Sequence, residues 1–435
     1  MQRLVAVAVL LLGFGLRARA LHGGNLGFDG GLAVALAASP FPALIELSAR
    51  DVHPPLYYLA LAGWWRIAGP GLAAALWPSL ALGALALAAA WRLGGRVGPE
   101  TALATAGLLA LSPLHVIEGM AARDFAALVP LTLLSSAILL EWLAGRRRGR
   151  LGALAGLYLV GLLTSYYFAL TAAAHALVLL WRGGPGRRWL GAAAPGILAL
   201  AAWAALSAAR IGPALAAGAR PTATEPPALA PLLSGLVQAV VGGSALPASA
   251  GGWAVLAAWG AAATFLPALR RRSTAPDPPP PAVVDAWLLA VVGFELALGG
   301  AAAVALLWLR DAAPARYALV ALPFAAALAG LGLGALTRVA RVFRPLFCLV
   351  ALAPLVAGLA AGWRPAELPR DFFDPRGLAR ALDDEGRPGD QIVFISLEQA
   401  GYYAALARAP RPWQVVPVGP RYLEGDLAAE VARKV

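Results

Sequence analysis

The feature that most constrains this chain is the alternation of long apolar runs with short gaps rich in arginine. The 435 residues are 60% hydrophobic and 13% charged. A soluble globular domain is about half apolar and about a quarter charged. Because a run of about 20 apolar residues spans a bilayer as a helix, the repetition predicts an all-α polytopic membrane protein.

The positive charge is explained by membrane topology. A net charge of +12 in a soluble protein would suggest nucleic acid as a partner, but here the arginines lie between the apolar runs. The positive-inside rule places such gaps in the cytoplasm, so we expect no nucleic-acid partner. The gaps hold Arg92 with Arg96, residues 146–150, 182–188 and 270–272, and Arg338 with Arg341 and Arg344.

These gaps predict about eleven spans with the C-terminus outside, because the chain must cross twice between successive gaps. Arg17 and Arg19 fall on the predicted outer side, against the rule. The first run also resembles a secretory signal with small residues at Ala18–Ala20, and either interpretation sends the following residues outside. The predicted spans are 4–16, 71–91, 101–118, 124–143, 151–165, 166–181, 189–208, 252–269, 286–309, 317–336 and 345–362.

The stretch "DVHPPLYYLALAGWW", Asp51–Trp65, is predicted to begin a helix that does not cross the membrane. Only one crossing is allowed between the first run and Arg92, and 71–91 is the stronger candidate. A helix of about 14 residues covers roughly 21 Å, short of a bilayer core of about 30 Å. With two tryptophans and Arg66 at its end, it is expected to lie along the outer surface.

The tail after residue 362 changes character. Its patterns predict a helix, a strand, a second helix and a second strand, in that order. We therefore divide the chain into a transmembrane domain, 1–362, whose first outer loop is 21–70, and a small extracytoplasmic α/β domain, 363–435, which is small or incomplete. The single cysteine, Cys348, permits no intrachain disulfide and no cysteine-based zinc site.

Ionisable side chains concentrate at the predicted outer boundary. Charges at span ends are often only solvated, but here several separate segments supply both arginines and carboxylates. Arginine binds phosphate oxygens through paired donors, and a carboxylate can take a proton from an acceptor hydroxyl. The pattern suits glycosyl transfer from a lipid-linked phosphate. The residues are Asp29, Glu46, Arg50, Asp51, His53, Glu118, Arg123, Asp124, Arg310, Asp311 and Arg316.

Five motifs, in order, resemble those of bacterial GT-C superfamily membrane glycosyltransferases, the branch similar to protein mannosyltransferases, aminoarabinose transferases and rhizobial lipopolysaccharide glycosyltransferases. "DVHPPLYY" is the most specific of them. The others are "LWPSLALGALAL" at Leu76–Leu87, "LSPLHVIEGMAARDFAAL" at Leu111–Leu128, "TSYYFAL" at Thr164–Leu170 and "ARYALVALP" at Ala315–Pro323.

The resemblance implies a general base at Asp29, with Asp51 as the alternative. Arg50 and Arg123 are expected to neutralise either carboxylate. It also implies that Arg316 and Tyr317 face the donor phosphate. The other residues expected to bind donor or acceptor are His53, Glu118, Arg123, Asp124 and Tyr167.

The chain departs from the family pattern at two positions, since Gly30 and Ala121 stand where glutamate is usual. Asp51, Glu118 or Asp124 substitutes for the missing carboxylates, the acceptor differs, or activity is lost.

Two residues have purely structural alternatives. His53 is placed to donate to phosphate or to bind a metal, or else to make a hydrogen bond at the helix start. Glu295 lies inside a span, where a charge marks function unless it is a neutral, hydrogen-bonded side chain. His175, also inside a span, is predicted to be a packed core histidine.

The sequence therefore predicts an inverting glycosyltransferase of the inner membrane. It would pass a sugar from a polyprenyl-phosphate donor to a lipid, glycan or protein acceptor in the cell envelope, on the periplasmic side. A divalent metal as cofactor is left open. A family member that only binds or moves lipid-linked sugars is the first alternative. A secondary transporter is the second, disfavoured because no internal repeat is evident and the charges lie at the boundary instead of the midplane.

Overall fold

The computed structural model is almost entirely helical. It describes residues 2–19, 21, 26–51, 53–145, 149–182, 185–218, 282–310, 319–339, 355–356, 359, 375–387, 392–394, 397–408 and 413–415. In chain order the elements are α1 (Gln2–Ala18), α2 (Gly27–Ala38), α3 (Phe41–Ala49), α4 (Leu56–Ala68), α5 (Leu72–Gly94), α6 (Pro99–Leu111), α7 (Pro113–Glu118), α8 (Phe125–Leu143), α9 (Arg150–Thr164), α10 (Phe168–Arg182), α11 (Gly186–Gly218), α12 (Ala282–Arg310), α13 (Leu322–Val339), α14 (Pro375–Glu385), β1 (Ile392–Phe394), α15 (Leu397–Leu406) and β2 (Trp413–Val415).

Three helices in the described part of the chain are long and apolar enough to cross a membrane: α5, α8 and residues 186–210 of α11. They coincide with three predicted spans. The predicted span 101–118 is instead two helices, because Ser112 is extended and Pro113 begins α7. The full count of eleven stays a prediction, since spans 252–269 and 345–362 fall largely or wholly outside the described residues.

The helices pack into a bundle with two neighbouring cores. In the larger core, α5 packs on α6 and α8, α9 on α11, α10 on α12 and α13 on α6. The contact between α13 and α6 is close because Gly330 and Gly334 lie directly against Thr105 and Thr101. Small residues spaced four apart allow such approach between membrane helices.

The smaller core lies beneath the predicted outer loop. The loop forms two helices, α2 and α3, that the sequence did not predict. They pack with α4 and the start of α5, and the buried members include Tyr57 and Tyr58. The helix after Pro55 is confirmed as α4, with 13 residues, and Gly69 ends it with a φ of 81°. Its place on the membrane surface stays a prediction.

The tail follows the predicted order of elements, and β1 pairs in parallel with β2. Its second helix, α15, packs on α2 and contributes Tyr402, Ala404 and Ala405 to the smaller core. Gly401 lies against the backbone of Gly31 and Ala35 so closely that a Cβ there has no room. The predicted separation of a domain 363–435 is not tested, but α15 shares its core with the outer-loop helices.

Arg17 does not face solvent, contrary to its expected place at the outer boundary. Its side chain is fully buried against Gly83 and Gly119. The guanidinium donates to the Gly13 carbonyl and contacts the His115 ring. Its exception to the arginine pattern therefore reflects packing between α1, α5 and α7.

Candidate active site

Asp51 is the centre of a hydrogen-bonded unit at the start of α4. Its Oδ2 accepts from the Tyr58 hydroxyl at 2.8 Å and lies 2.9 Å from His53 Nδ1. Proline at positions 54 and 55 sets the entry of the chain into α4, so Tyr58 faces back toward the preceding loop. Asp51 and His53 side chains are each 18% exposed, so a ligand can reach them. The His53–Asp51 hydrogen bond lies just before α4, whose N-cap is Pro55, so it fits the structural alternative for His53 as well as the functional one.

The surroundings of His53 favour its charged form. Burial lowers the pKa of His53, but the hydrogen bond with Asp51 and the negative charges of Asp124 and Asp51 together outweigh that effect and the opposing charge of Arg123. The pKa of His53 therefore lies above its ordinary value of 6.5. An imidazolium at this position can donate to a phosphate oxygen.

Asp29 and Arg123 form an ion pair between two outer segments. Arg123 Nη1 lies 2.8 Å from Asp29 Oδ2, and the Asp29 side chain remains 28% exposed. Asp29 stands in the first turn of α2, where the helix dipole stabilises a negative charge. The Arg123 guanidinium also lies over the Phe125 ring, 5.3 Å from its centroid. This pair fixes the predicted base beside the predicted phosphate ligand.

Asp124 is the most buried carboxylate at this site, with 4% of the residue exposed. It occupies the N-cap position of α8 without making a side-chain cap bond. Its Oδ2 has no hydrogen-bond partner among the described residues. The negative charge of Asp124 raises the pKa of His53, so the two side chains interact electrostatically.

Of the remaining predicted residues, the structure describes Tyr167 and Glu118. The Tyr167 ring, in the turn between α9 and α10, lies 5.4 Å from the Phe125 ring. Glu118 ends α7 and is partly buried, and its carbonyl accepts from Ala121 N in the turn that leads to Arg123. Arg316 and Tyr317 lie outside the described residues, so their predicted roles remain predictions. In the described part of the chain, no group of three histidine, cysteine, aspartate or glutamate residues is placed to hold a metal ion.

The two missing glutamates fall at one place in the structure. Gly30 packs against Leu26 and Ala122, and Ala121 directly precedes Ala122 in the chain. Of the two arginines expected to neutralise Asp29 or Asp51, Arg123 pairs with Asp29. Arg50 instead donates to Glu46 Oε1 through Nε and Nη2, at 3.0 and 2.8 Å. Among the described residues, Asp29, Asp51 and Asp124 are carboxylates whose contacts or charges join this group.

Sequence reasoning missed three parts of the site. Tyr58, a donor to Asp51, was visible only as part of an aromatic helix start. Its neighbour Tyr57 lies within hydrogen-bonding distance of Ser79 on α5, at 3.2 Å. The third is α15, whose packing behind the Asp29-bearing helix has no signal in the sequence pattern.

A second polar cluster, which we call the membrane network, lies within the bundle. His175 contacts Ser136 Oγ at 3.0 Å and Tyr158 Oη at 2.8 Å, and it lies 3.5 Å from Glu295. His175 and Glu295 are both fully buried. The prediction of a packed core histidine is confirmed. Two further hydrogen bonds belong to the network: Trp189 Nε1 donates to Tyr158 Oη at 2.7 Å, and Thr171 Oγ1 donates to Glu295 Oε2 at 3.2 Å.

Comparison with known proteins agrees with the resemblance in the sequence. Residues 52–210 match the family described as dolichyl-phosphate-mannose-protein mannosyltransferase. This region holds most of the site, from His53 to Tyr167. No curated protein sequence matches the chain.

Solved structures show the fold. The structure of ArnT from Cupriavidus metallidurans bound to undecaprenyl phosphate aligns with a TM-score of 0.57 and 16% identity, over 100% of this chain and 88% of ArnT. The archaeal oligosaccharyltransferase AglB from Archaeoglobus fulgidus, in complex with an inhibitory peptide and a dolichol-phosphate, aligns with a TM-score of 0.50 and 15% identity, over 96% of this chain and 61% of AglB. An apo oligosaccharyltransferase from the same organism aligns with a TM-score of 0.52 and 14% identity, over 96% of this chain and 62% of that protein. The chain has the helical fold of these proteins, and the family match and the solved structures both agree with the resemblance to GT-C glycosyltransferases.

Proposed function

We propose that this chain transfers a sugar from a polyprenyl-phosphate donor to a cell-envelope acceptor at the periplasmic face of the inner membrane, inverting the anomeric centre. The observation that carries the proposal is the Asp29–Arg123 ion pair beside the Asp51–His53–Tyr58 unit. It joins a partly exposed carboxylate to cationic groups suited to phosphate. The undecaprenyl phosphate of ArnT and the dolichol-phosphate of AglB support a donor of this class.

In the proposed reaction, Asp29 takes the proton of the acceptor hydroxyl while the hydroxyl oxygen attacks the anomeric carbon of the donor sugar. The bond from that carbon to the phosphate oxygen breaks on the opposite side, and the lipid phosphate leaves with the electron pair. Arg123 and the His53 imidazolium stabilise the negative charge that develops on the phosphate. Asp51 and Tyr58 orient His53, and Arg316 is proposed as a further phosphate ligand.

Binding of the lipid phosphate is tested by native mass spectrometry of the purified protein with undecaprenyl phosphate. Arg123→Gln is expected to lose the bound lipid. Arg210→Gln is the matched control, because Arg210 is also at the predicted outer end of a span and 47% exposed, but pairs with Glu46 at 3.4 Å. Equal binding by wild type and Arg123→Gln would rule out the assigned phosphate site.

The alternative is a protein that binds lipid-linked sugars without transferring them. The specific observation in its favour is the joint absence of carboxylates at Gly30 and Ala121, since Gly30 packs against Ala122, the residue that follows Ala121. That protein would bind undecaprenyl phosphate through Arg123, and Asp29→Asn would leave its biological activity unchanged.

A further inference from the structure

Three arginines surround one carboxylate at the ends of several helices. In the predicted topology, these helix ends lie on the side of the membrane opposite the proposed active site. Glu141, near the end of α8, lies 2.7 Å from Arg92 Nη2, 3.4 Å from Arg96 Nη1 and 2.9 Å from Arg150 Nε. Arg92 ends α5, Arg96 follows it and Arg150 begins α9. We call these four residues the arginine cluster.

The arginine cluster carries more positive charge than its carboxylate can balance. Glu141 contributes one negative charge against three guanidinium groups, which leaves an excess of two positive charges. Its side chain is only 8% exposed and that of Arg96 only 13%, so water screens them weakly. A second anion beside Glu141 would reduce the mutual repulsion of the guanidinium groups.

Arg92 and Arg150 present donors outward. Their side chains are 40% and 35% exposed. Arg92 donates to Glu141 Oε1 through Nε and Nη2, and Arg150 Nε lies 2.9 Å from Glu141 Oε2. A guanidinium has five N–H donors, so each arginine keeps donors in a fixed planar arrangement that matches phosphate oxygens.

The position of the cluster indicates where the anion comes from. Arg92 and Glu141 stand at the ends of two helices, α5 and α8, that are long and apolar enough to cross the membrane. The sequence adds three more arginines, at positions 146–148, between these residues and Arg150. Basic pockets between helices at the predicted cytoplasmic boundary suit the headgroups of anionic lipids.

We propose that the arginine cluster is a binding site for the phosphate group of an anionic phospholipid, held by Arg92 and Arg150. The site is distinct from the proposed sugar-transfer site and does not depend on that function. The competing explanation is that these arginines only set topology, in which case any arginine of the same boundary would serve equally.

The test compares the thermal stability of the purified protein in nanodiscs of phosphatidylcholine alone and in nanodiscs that also contain phosphatidylglycerol. Phosphatidylglycerol should raise the melting temperature of the wild type, and this gain should be largely lost in Arg150→Gln. Arg187→Gln is the matched control, because it removes the same charge from an exposed position in another arginine-rich gap. The gain should also shrink at high salt, which screens the interaction.

Two results would overturn the proposal. One is that Arg150→Gln and Arg187→Gln reduce the phosphatidylglycerol-dependent rise in melting temperature equally, which would show that the effect depends on overall charge and not on this site. The other is an equal gain from inorganic phosphate in phosphatidylcholine nanodiscs, which would indicate a soluble anion. If Arg150→Gln does not fold, Arg92→Gln serves instead, because that side chain is the more exposed of the two, and native mass spectrometry then counts retained phosphatidylglycerol.

Discussion

The proposed active site and the membrane network are both rich in ionisable groups, yet they differ in what can reach them. At the outer site, Asp29 is 28% exposed and Asp51 and His53 are each 18% exposed. In the membrane network, His175 and Glu295 are fully buried. Chemistry on a substrate needs access, so the outer site is the one suited to catalysis.

The difference also concerns how the groups are satisfied. In the membrane network, His175 has contacts at both ring nitrogens, and the partners come from neighbouring helices. Such bonds hold helices in a fixed register. The outer site instead sets carboxylates of Asp29 and Asp51 beside cationic groups.

The largest expected effect is at Asp29. Asp29→Asn keeps the shape of the side chain but removes the proposed base, so turnover should fall by about 100- to 10,000-fold while undecaprenyl phosphate binding survives. Asp51→Asn should cause a smaller loss or weaken binding. Kinetics measures the loss of turnover in each variant, and native mass spectrometry measures the loss of undecaprenyl phosphate binding. If Asp51→Asn is inactive and Asp29→Asn is normal, their roles are reversed.

Gly401 lies on α15, the helix that packs against the Asp29-bearing helix α2. Gly401→Leu should push α15 away from α2 and displace Asp29, and a misplacement of about 1 Å can cost on the order of 100-fold in rate. We expect kcat per folded molecule to fall with donor affinity little changed. Gly63→Leu on α4 is the control, since nothing lies within 4 Å of a Cβ there. Equal effects of both substitutions would show that α15 does not position the site.

His53 gives the outer site a pH dependence. Because its pKa is raised above 6.5, the imidazolium persists at neutral pH and is lost as the pH rises through the raised pKa. Donor affinity should therefore be highest at low pH and weaken by about tenfold above that pKa, a typical contribution of one charged hydrogen bond. His53→Gln should give a flat profile. A wild-type profile without this step would exclude His53 as a phosphate ligand.

The smallest expected effect on transfer is in the membrane network. Tyr158→Phe removes the hydroxyl that contacts His175 and Trp189. It should lower the free energy of unfolding by about 1 kcal/mol. Turnover by the folded protein should stay unchanged. A large fall in turnover without loss of stability would make the network part of the catalytic machinery and cancel the contrast with the outer site.

The sequence predicted local structure well and long-range pairing poorly. Proline before an apolar run predicted α4, and the arginine gaps predicted the three clearest spans. The order of tail elements was also confirmed. What could not be predicted depends on residues far apart in sequence: the packing of α15 on α2 and the burial of Arg17 against glycines. The periodicity of hydrophobic residues predicts that a segment is helical, but it does not predict which other helix that segment packs against.

The central claim, sugar transfer that depends on the outer site, is tested most directly by mass analysis of cell-envelope glycans from a deletion strain. We expect the deletion to remove one sugar from a defined envelope glycan. Wild type should restore that sugar, and Asp29→Asn, expressed in the membrane at the same level, should not. Glycans unchanged by the deletion, or restored fully by Asp29→Asn, would contradict the account.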